Sequence, residues 1–99
     1  MKIYIAGRIS GDPEYEKKFA AYAAVLNSVG NIVLNPAVLP EWLTVADYMR
    51  ICFAMIDVAD AVFFLPDWEQ SGGAKLEMEY CKYTGKRYEF MQKKEEAET

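Results

Sequence analysis

The feature that most constrains the fold is an apolar strand followed closely by a helix that opens on two glycines. Residues 61–65 form an almost unbroken apolar run, which is typical of a parallel strand covered on both faces of its sheet. Gly72 and Gly73 follow a short polar turn and precede residues with helical spacing. Ligands of open α/β sheets gather where a strand ends and the next helix begins, so we predict the functional site at this junction.

Further stretches of the chain give an alternating order of strands and helices. Strands are predicted at residues 2–6, 31–34, 61–65 and 87–90, and helices at residues 12–29, 44–58 and 71–84. Right-handed crossovers fold such an order into a three-layer α/β sandwich. We predict a flavodoxin-like fold with a four-stranded parallel sheet, in the order 2-1-3-4, and three crossover helices. This order places the carboxyl ends of the first and third strands side by side.

Length and charge limit the classes of function. The 99 residues are predicted to form one domain, residues 1–90, with a charged tail at 91–99. The net charge of −4 and the lack of a basic stripe argue against duplex nucleic acid as a partner. No apolar run is long enough for a membrane span, so we expect no membrane association and a cytoplasmic location. A chain this short has little room to enclose a site, so we expect a homo-oligomer.

The absence of histidine restricts the chemistry of any site. The sequence contains no histidine, which excludes serine–histidine and cysteine–histidine nucleophile pairs and most zinc sites. Cys52 and Cys81 do not have the spacing of metal ligands, so we expect two buried thiols without a disulfide. Carboxylates, tyrosine and lysine remain as acid–base groups, and we predict no metal or other cofactor.

The start of the last helix carries the first group of candidate residues. Ser71 is predicted to cap the helix, and Gly72 and Gly73 leave their backbone N–H groups open to close approach by an anion. Glu77 lies one turn later, so its carboxylate is predicted to lie over the same small residues. The alternatives are an ordinary helix cap and a solvated glutamate. Partial burial of Glu77 would instead raise its pKa and suit it to catalysis.

A second group of candidates lies on the first strand and on the facing loops. Tyr4 alternates with apolar neighbours, which indicates either a core aromatic or a hydrogen-bond partner for Glu77 or for a sugar hydroxyl. The candidate binding residues on the loops are Gly7, Arg8, Ser10 and Asp67. Arg8 and Ser10 could bind phosphate, although a surface arginine in a turn is the alternative.

Four segments resemble the nucleoside 2-deoxyribosyltransferase superfamily, above all its short phage and bacterial branch. They are residues 3–7, 35–36, 59–60 and 71–77, and the resemblance extends over about residues 2–88. It implies that Glu77 attacks C1′ of a 2-deoxynucleoside, that Tyr4 orients Glu77, and that the products are a free base and a deoxyribosyl-enzyme. It also implies that Ser71 binds a 5′-phosphate, as in related deoxynucleoside 5′-monophosphate N-glycosidases, in which water accepts the sugar.

The sequence departs from this resemblance at one position. The superfamily has an aspartate eight residues before the position of Asp60, where this chain has Cys52. The resemblance implies that the aspartate contacts the sugar or helps to protonate the leaving base. Asp57, Asp67 or a neighbouring subunit could replace it, or the activity could be lost.

Three hypotheses of function follow. The first is an enzyme that cleaves the N-glycosidic bond of a small-molecule 2-deoxynucleoside or nucleotide, or transfers its sugar. The second is a nucleotide-sensing module that binds in the same crevice without turnover. The third is an interaction subunit, suggested by the aromatic residues Trp42, Tyr48 and Trp68.

Overall fold

The computed structural model describes residues 1–92, which form a parallel sheet with helices on both faces. The strands are β1 Lys2–Ala6, β2 Ile32–Leu34, β3 Ala61–Phe64 and β4 Tyr88–Phe90, and the helices are α1 Tyr15–Ser28, α2 Val45–Val58 and α3 Gly72–Thr84. The sheet order is β2-β1-β3-β4, and each pairing is parallel. The predicted flavodoxin-like fold is therefore confirmed. Most of the predicted charged tail, from residue 93 onward, lies outside the described residues.

The alternation of side chains along β1 divides the core into two parts. Ile3 and Ile5 pack with Phe19 of α1 on one face of the sheet. Tyr4 and Ala6 point to the opposite face, where they pack with residues of α2 and α3. Since successive strand residues face opposite sides, the position of Tyr4 between two isoleucines directs its ring to the α2 and α3 layer.

Three helix ends follow their sequence signals. Thr44 followed by Asp47 three residues later is the sequence pattern of a capping box. The Thr44 hydroxyl accepts the backbone N–H of Asp47, and the Asp47 carboxylate accepts the backbone N–H of Thr44, so the capping box is present. Ser71 caps α3 by accepting the N–H of Ala74 at 3.1 Å. Gly85 ends α3 in the left-handed conformation with φ +77°, which glycine adopts without steric cost.

The start of α1 and the burial of β2 differ from the predictions. The helix begins at Tyr15 instead of Asp12, because the Asp12 carboxylate accepts the N–H of Glu14 and holds a turn before the helix. Residues 32–34 of β2 are all apolar, which predicts a buried strand. Ile32 is nevertheless 64% exposed, because β2 is an edge strand paired only with β1. Strand β3 ends one residue early, although Leu65 is fully buried.

The structure also bears on the predictions for the two cysteines, for membrane spans and for the end of the second helix. Cys52 and Cys81 are both buried free thiols, as expected. None of the helices within residues 1–92 combines the length and the apolar character that a membrane span requires. The predicted second helix ends at Val58, as expected.

Candidate active site

A cavity of about 260 Å³ opens above the carboxyl end of β1. It lies between α2, the start of α3, the loop after β1 and the residues that follow β2. Among the predicted site residues, its walls include Tyr4, Gly7, Ser10, Ser71, Gly73 and Glu77. Its volume is close to the lower end of the ~300–1,000 Å³ that is usual for small-molecule sites. The cavity is large enough for a small ligand in contact with these residues.

Glu77 and Tyr4 meet at the base of this cavity. Glu77 is 5% exposed and is the buried charged residue of the described chain. The Tyr4 hydroxyl donates a hydrogen bond of 2.7 Å to Oε2 of Glu77. Burial raises the pKa of Glu77 to about 7, and the hydrogen bond from Tyr4 acts in the opposite direction. The carboxyl group can therefore exist in both protonation states near neutral pH.

Tyr4 remains protonated under the same conditions. Burial, and next the charge of Glu77, raise the pKa of Tyr4 well above its ordinary value. A protonated phenol can donate but cannot act as a base, so its hydrogen stays available to the carboxylate. Tyr4 thus fixes the orientation of Glu77 from a rigid central strand.

The N-terminus of α3 forms one wall of the cavity. The Ser71 hydroxyl accepts the N–H of Ala74, which leaves its own hydrogen free to be donated to a ligand. The first N–H groups of a helix have no acceptor within the helix. Gly73 lines the cavity, whereas Gly72 does not. A Cβ on Gly73 would lie 3.5 Å from Sδ of Met49, in ordinary contact.

Helix α2 supplies the facing wall. Tyr48, Met49 and Cys52 line the cavity along one stripe of this helix, and Val45 lies at its exposed end. Burial raises the pKa of Cys52 to about 11, so its thiol keeps its proton at neutral pH. The Tyr48 hydroxyl donates to the carbonyl oxygen of Pro40 and ties the loop after β2 to the helix.

Arg8 and Asp67 are close together but do not line the cavity. Asp67 accepts the backbone N–H of Arg8 at 3.1 Å and forms an ion pair of 2.5 Å with Lys18. Lys18 also donates to the carbonyl oxygen of Arg8 at 2.7 Å and pairs with Asp12 at 2.5 Å. The Arg8 guanidinium donates to the carbonyl oxygens of Ser10 and Gly11 and to Gln70. These contacts hold the loop after β1.

The loops after β1 and β3 face each other, as predicted, and the contact between Arg8 and Asp67 joins them. The cavity includes the predicted junction at the start of α3, and residues that follow β2 form a further wall. A glycine is required where the loops approach, because a Cβ on Gly7 would lie 2.9 Å from Cδ1 of Leu65.

Sequence reasoning did not identify several apolar lining residues. These include Ile9, Tyr15, Leu39, Tyr48 and Met49. Val45, Met49, Cys52 and Ile56 recur at helical spacing along α2, which predicts that Met49 and Cys52 lie on the same face of the helix. For the residues after β2, the sequence predicts only that the strand ends at Asn35 and Pro36. It does not predict that these residues form a wall of the cavity.

The three aromatic residues of the interaction hypothesis have different surroundings. Trp42 is 94% exposed, whereas Tyr48 lines the cavity. The Trp68 ring packs on Phe64 and Phe90, with centroids 5.5 and 5.8 Å apart. Trp68 thus belongs to the packing around β3 and β4.

Within residues 1–92, no group of three or more histidine, cysteine, aspartate or glutamate residues is placed to hold a metal ion.

Comparisons with known proteins place this architecture in a family. The family model described as "Domain of unknown function (DUF4406)" matches residues 1–90. The chain belongs to this family. No curated protein matches the sequence.

Solved structures show the same fold. A 2-deoxyribosyltransferase from Bacillus psychrosaccharolyticus matches with a TM-score of 0.72 and 20% identity, over 91% of this chain and 71% of that one. A 2-deoxyribosyltransferase from Leishmania mexicana matches with a TM-score of 0.72 and 21% identity, over 91% of this chain and 63% of that one. The fold implied by the sequence resemblance is thus confirmed, in a chain that spans about two thirds of these neighbours.

Proposed function

We propose that this protein cleaves the N-glycosidic bond of a 2-deoxynucleoside or its 5′-monophosphate, with Glu77 as the nucleophile. The observation that carries the proposal is the buried carboxyl group of Glu77, held by Tyr4 at the base of a ligand-sized cavity. The fold shared with two 2-deoxyribosyltransferases supports the same class of reaction.

The chemistry needs one bond to form as another breaks. An oxygen of ionised Glu77 attacks C1′ while the bond from C1′ to the base nitrogen breaks, and the electron pair leaves with the base. The product is a 2-deoxyribosyl ester of Glu77. Water or a second base then attacks C1′ and regenerates the carboxylate. Tyr4 orients the attacking carboxylate through the 2.7 Å hydrogen bond.

The cavity offers different surroundings to the two ends of such a substrate. The hydroxyl of Ser71 and the first N–H groups of α3 would bind the sugar or its 5′-phosphate, with Gly7 and Ser10 on the opposite side. The base would lie against the apolar wall formed by α2 and by Leu39. Arg8 would support this arrangement from outside the cavity, through its contact with Asp67.

The test is the release of free base from a panel of 2-deoxynucleosides and their 5′-monophosphates. Each reaction is run with and without a second base, so that chromatography separates hydrolysis from transfer. We expect Glu77→Gln to lower the rate on the order of 10³-fold or more. Glu79→Gln is the matched control, because that side chain is on the same helix and 74% exposed.

Equal rates for Glu77→Gln and the unchanged protein would contradict the proposed nucleophile. Binding by calorimetry, with the ligand recovered intact after long incubation, would favour the nucleotide-sensing alternative. The cytoplasmic location and the homo-oligomeric state stay predictions. Light scattering at micromolar concentration tests the second, and a monomer would contradict it.

A further inference from the structure

The described lining of the cavity contains few side chains that could give a proton to a departing base. Among its lining residues within the described part of the chain, Glu77 is the carboxylate, and no lysine or arginine contributes. The other ionisable groups are the thiol of Cys52 and the hydroxyls of Tyr4, Tyr15 and Tyr48. Phenols and thiols are weak acids at neutral pH.

The carboxylates of neighbouring elements have other partners. Asp67 is paired with Lys18 and accepts the N–H of Arg8. Asp57 accepts a 2.7 Å hydrogen bond from the hydroxyl of Tyr80 at an exposed position on α2. Neither aspartate lines the cavity, so neither is positioned to give a proton to a base bound there.

The groups that do face the base side of the cavity are also poor proton donors. Burial raises the pKa of Cys52 to about 11, and a thiol is a weak hydrogen-bond donor. The hydrogen of the Tyr4 hydroxyl is directed at Glu77, and that of Tyr48 at the Pro40 carbonyl. Tyr15 also lines the cavity, and burial raises the pKa of its hydroxyl above the ordinary value. A departing base would therefore meet an apolar wall, a protonated thiol and phenols that hold their protons at neutral pH.

We propose that this site selects its substrate by the acidity of the leaving base, an inference that rests on the proposed function. Cys52 is the residue that determines this specificity. The base departs as an anion that keeps the electron pair of the bond to C1′, while Glu77 forms the ester with C1′. The anion takes a proton from water after it has left. Water or a second base then attacks C1′ and releases Glu77. The preferred class is 2-deoxynucleosides of oxopyrimidines with electron-withdrawing 5-substituents.

The test is a series of 2-deoxyuridines with 5-substituents that change the acidity of the base. The values of kcat/KM are measured at one pH and compared with the pKa of each free base. Because the base leaves without a proton, we expect the rate to fall about tenfold for each unit by which the pKa of the base rises. A change below about twofold per unit would overturn the inference, since it would mean that an acid reaches the base.

Two substitutions at position 52 sharpen this test. Cys52→Asp places a carboxyl group on the base side, and we expect it to reduce the dependence on base acidity and to accelerate the least acidic base most. Asparagine has nearly the same shape as aspartate but no acidic proton. Cys52→Asn should therefore keep the steep dependence of the rate on base acidity that the unchanged protein shows. An equal dependence in the two variants would contradict the role of Cys52. If Cys52→Asp does not fold, the slope of the unchanged protein alone decides whether the base leaves without a proton.

This experiment separates the failure of the inference from that of the proposed function. Release of base with a flat dependence on acidity overturns the inference and leaves Glu77 as the proposed nucleophile. No release from any member of the series overturns the inference, and the wider panel of 2-deoxynucleosides and 5′-monophosphates then decides the proposed function.

Discussion

The buried carboxyl group of Glu77 should make the folded protein less stable as the pH rises from 5 to 8. Burial raises the pKa of Glu77 from 4.5 to about 7, so the folded state binds this proton more tightly than the unfolded state. The resulting stability is fully present below pH 4.5 and is lost as the pH rises through 7. Each tenfold change in proton affinity is worth about 1.4 kcal/mol, so the loss approaches about 3 kcal/mol.

This chain is well suited to the measurement. It contains no histidine, so no imidazole titrates in the same pH window. Hydrogen bonds lower the pKa values of Asp12 and Asp60, and their contributions are lost only as the pH falls below the window. Burial raises the pKa values of Cys52 and Cys81 to about 11, above the window. A change between pH 5 and 8 can therefore be assigned to Glu77 by substitution.

The assay is urea unfolding at pH 5 and pH 8, followed by circular dichroism. Glu77→Gln keeps the shape of the side chain and an acceptor for Tyr4 but removes the titration. We expect this variant to have a nearly constant free energy of unfolding and to exceed the unchanged protein by about 3 kcal/mol at pH 8. The control Glu79→Gln should follow the unchanged protein. Parallel pH dependence in Glu77→Gln and the unchanged protein would refute the reasoning.

Three further predictions concern the residues around the cavity. Tyr4→Phe removes the hydrogen bond that lowers the pKa of Glu77, so the rise of base release with pH should move to higher pH; an unmoved pH–rate profile contradicts this. Gly73→Val places a side chain in the cavity and should weaken nucleoside binding, measured by calorimetry, by about tenfold or more. Gly72→Ala is the control and should bind as the unchanged protein does, because a Cβ at this position has no atom within 4 Å. Lys18→Met leaves the carboxylates of Asp12 and Asp67 without their cation. We expect this variant to unfold at a lower urea concentration than the unchanged protein, and an unchanged midpoint would disprove the prediction.

The sequence by itself determined the order of elements and much of their boundaries. The sequence signals for these elements involve residues that are close together in the chain. They are the apolar run of β3, the capping box at Thr44, the cap at Ser71 and the glycine at position 85. Such signals depend on local geometry and backbone hydrogen bonds, so they are readable along the chain. The order 2-1-3-4 was one of the strand orders that right-handed crossovers allow, and the structure confirms it.

Only the tertiary structure decided the contents and the position of the candidate site. Tyr4 and Glu77 are 73 residues apart in the chain, and their hydrogen bond exists because β1 and α3 pack in adjacent layers. Asp67 pairs with Lys18 and does not line the cavity, and the edge position of β2 leaves Ile32 exposed. Each of these outcomes depends on which surfaces of the sheet and the helices meet in the folded protein. The periodicity of apolar residues predicts that one face of a helix or strand is buried, but it does not predict what that face packs against.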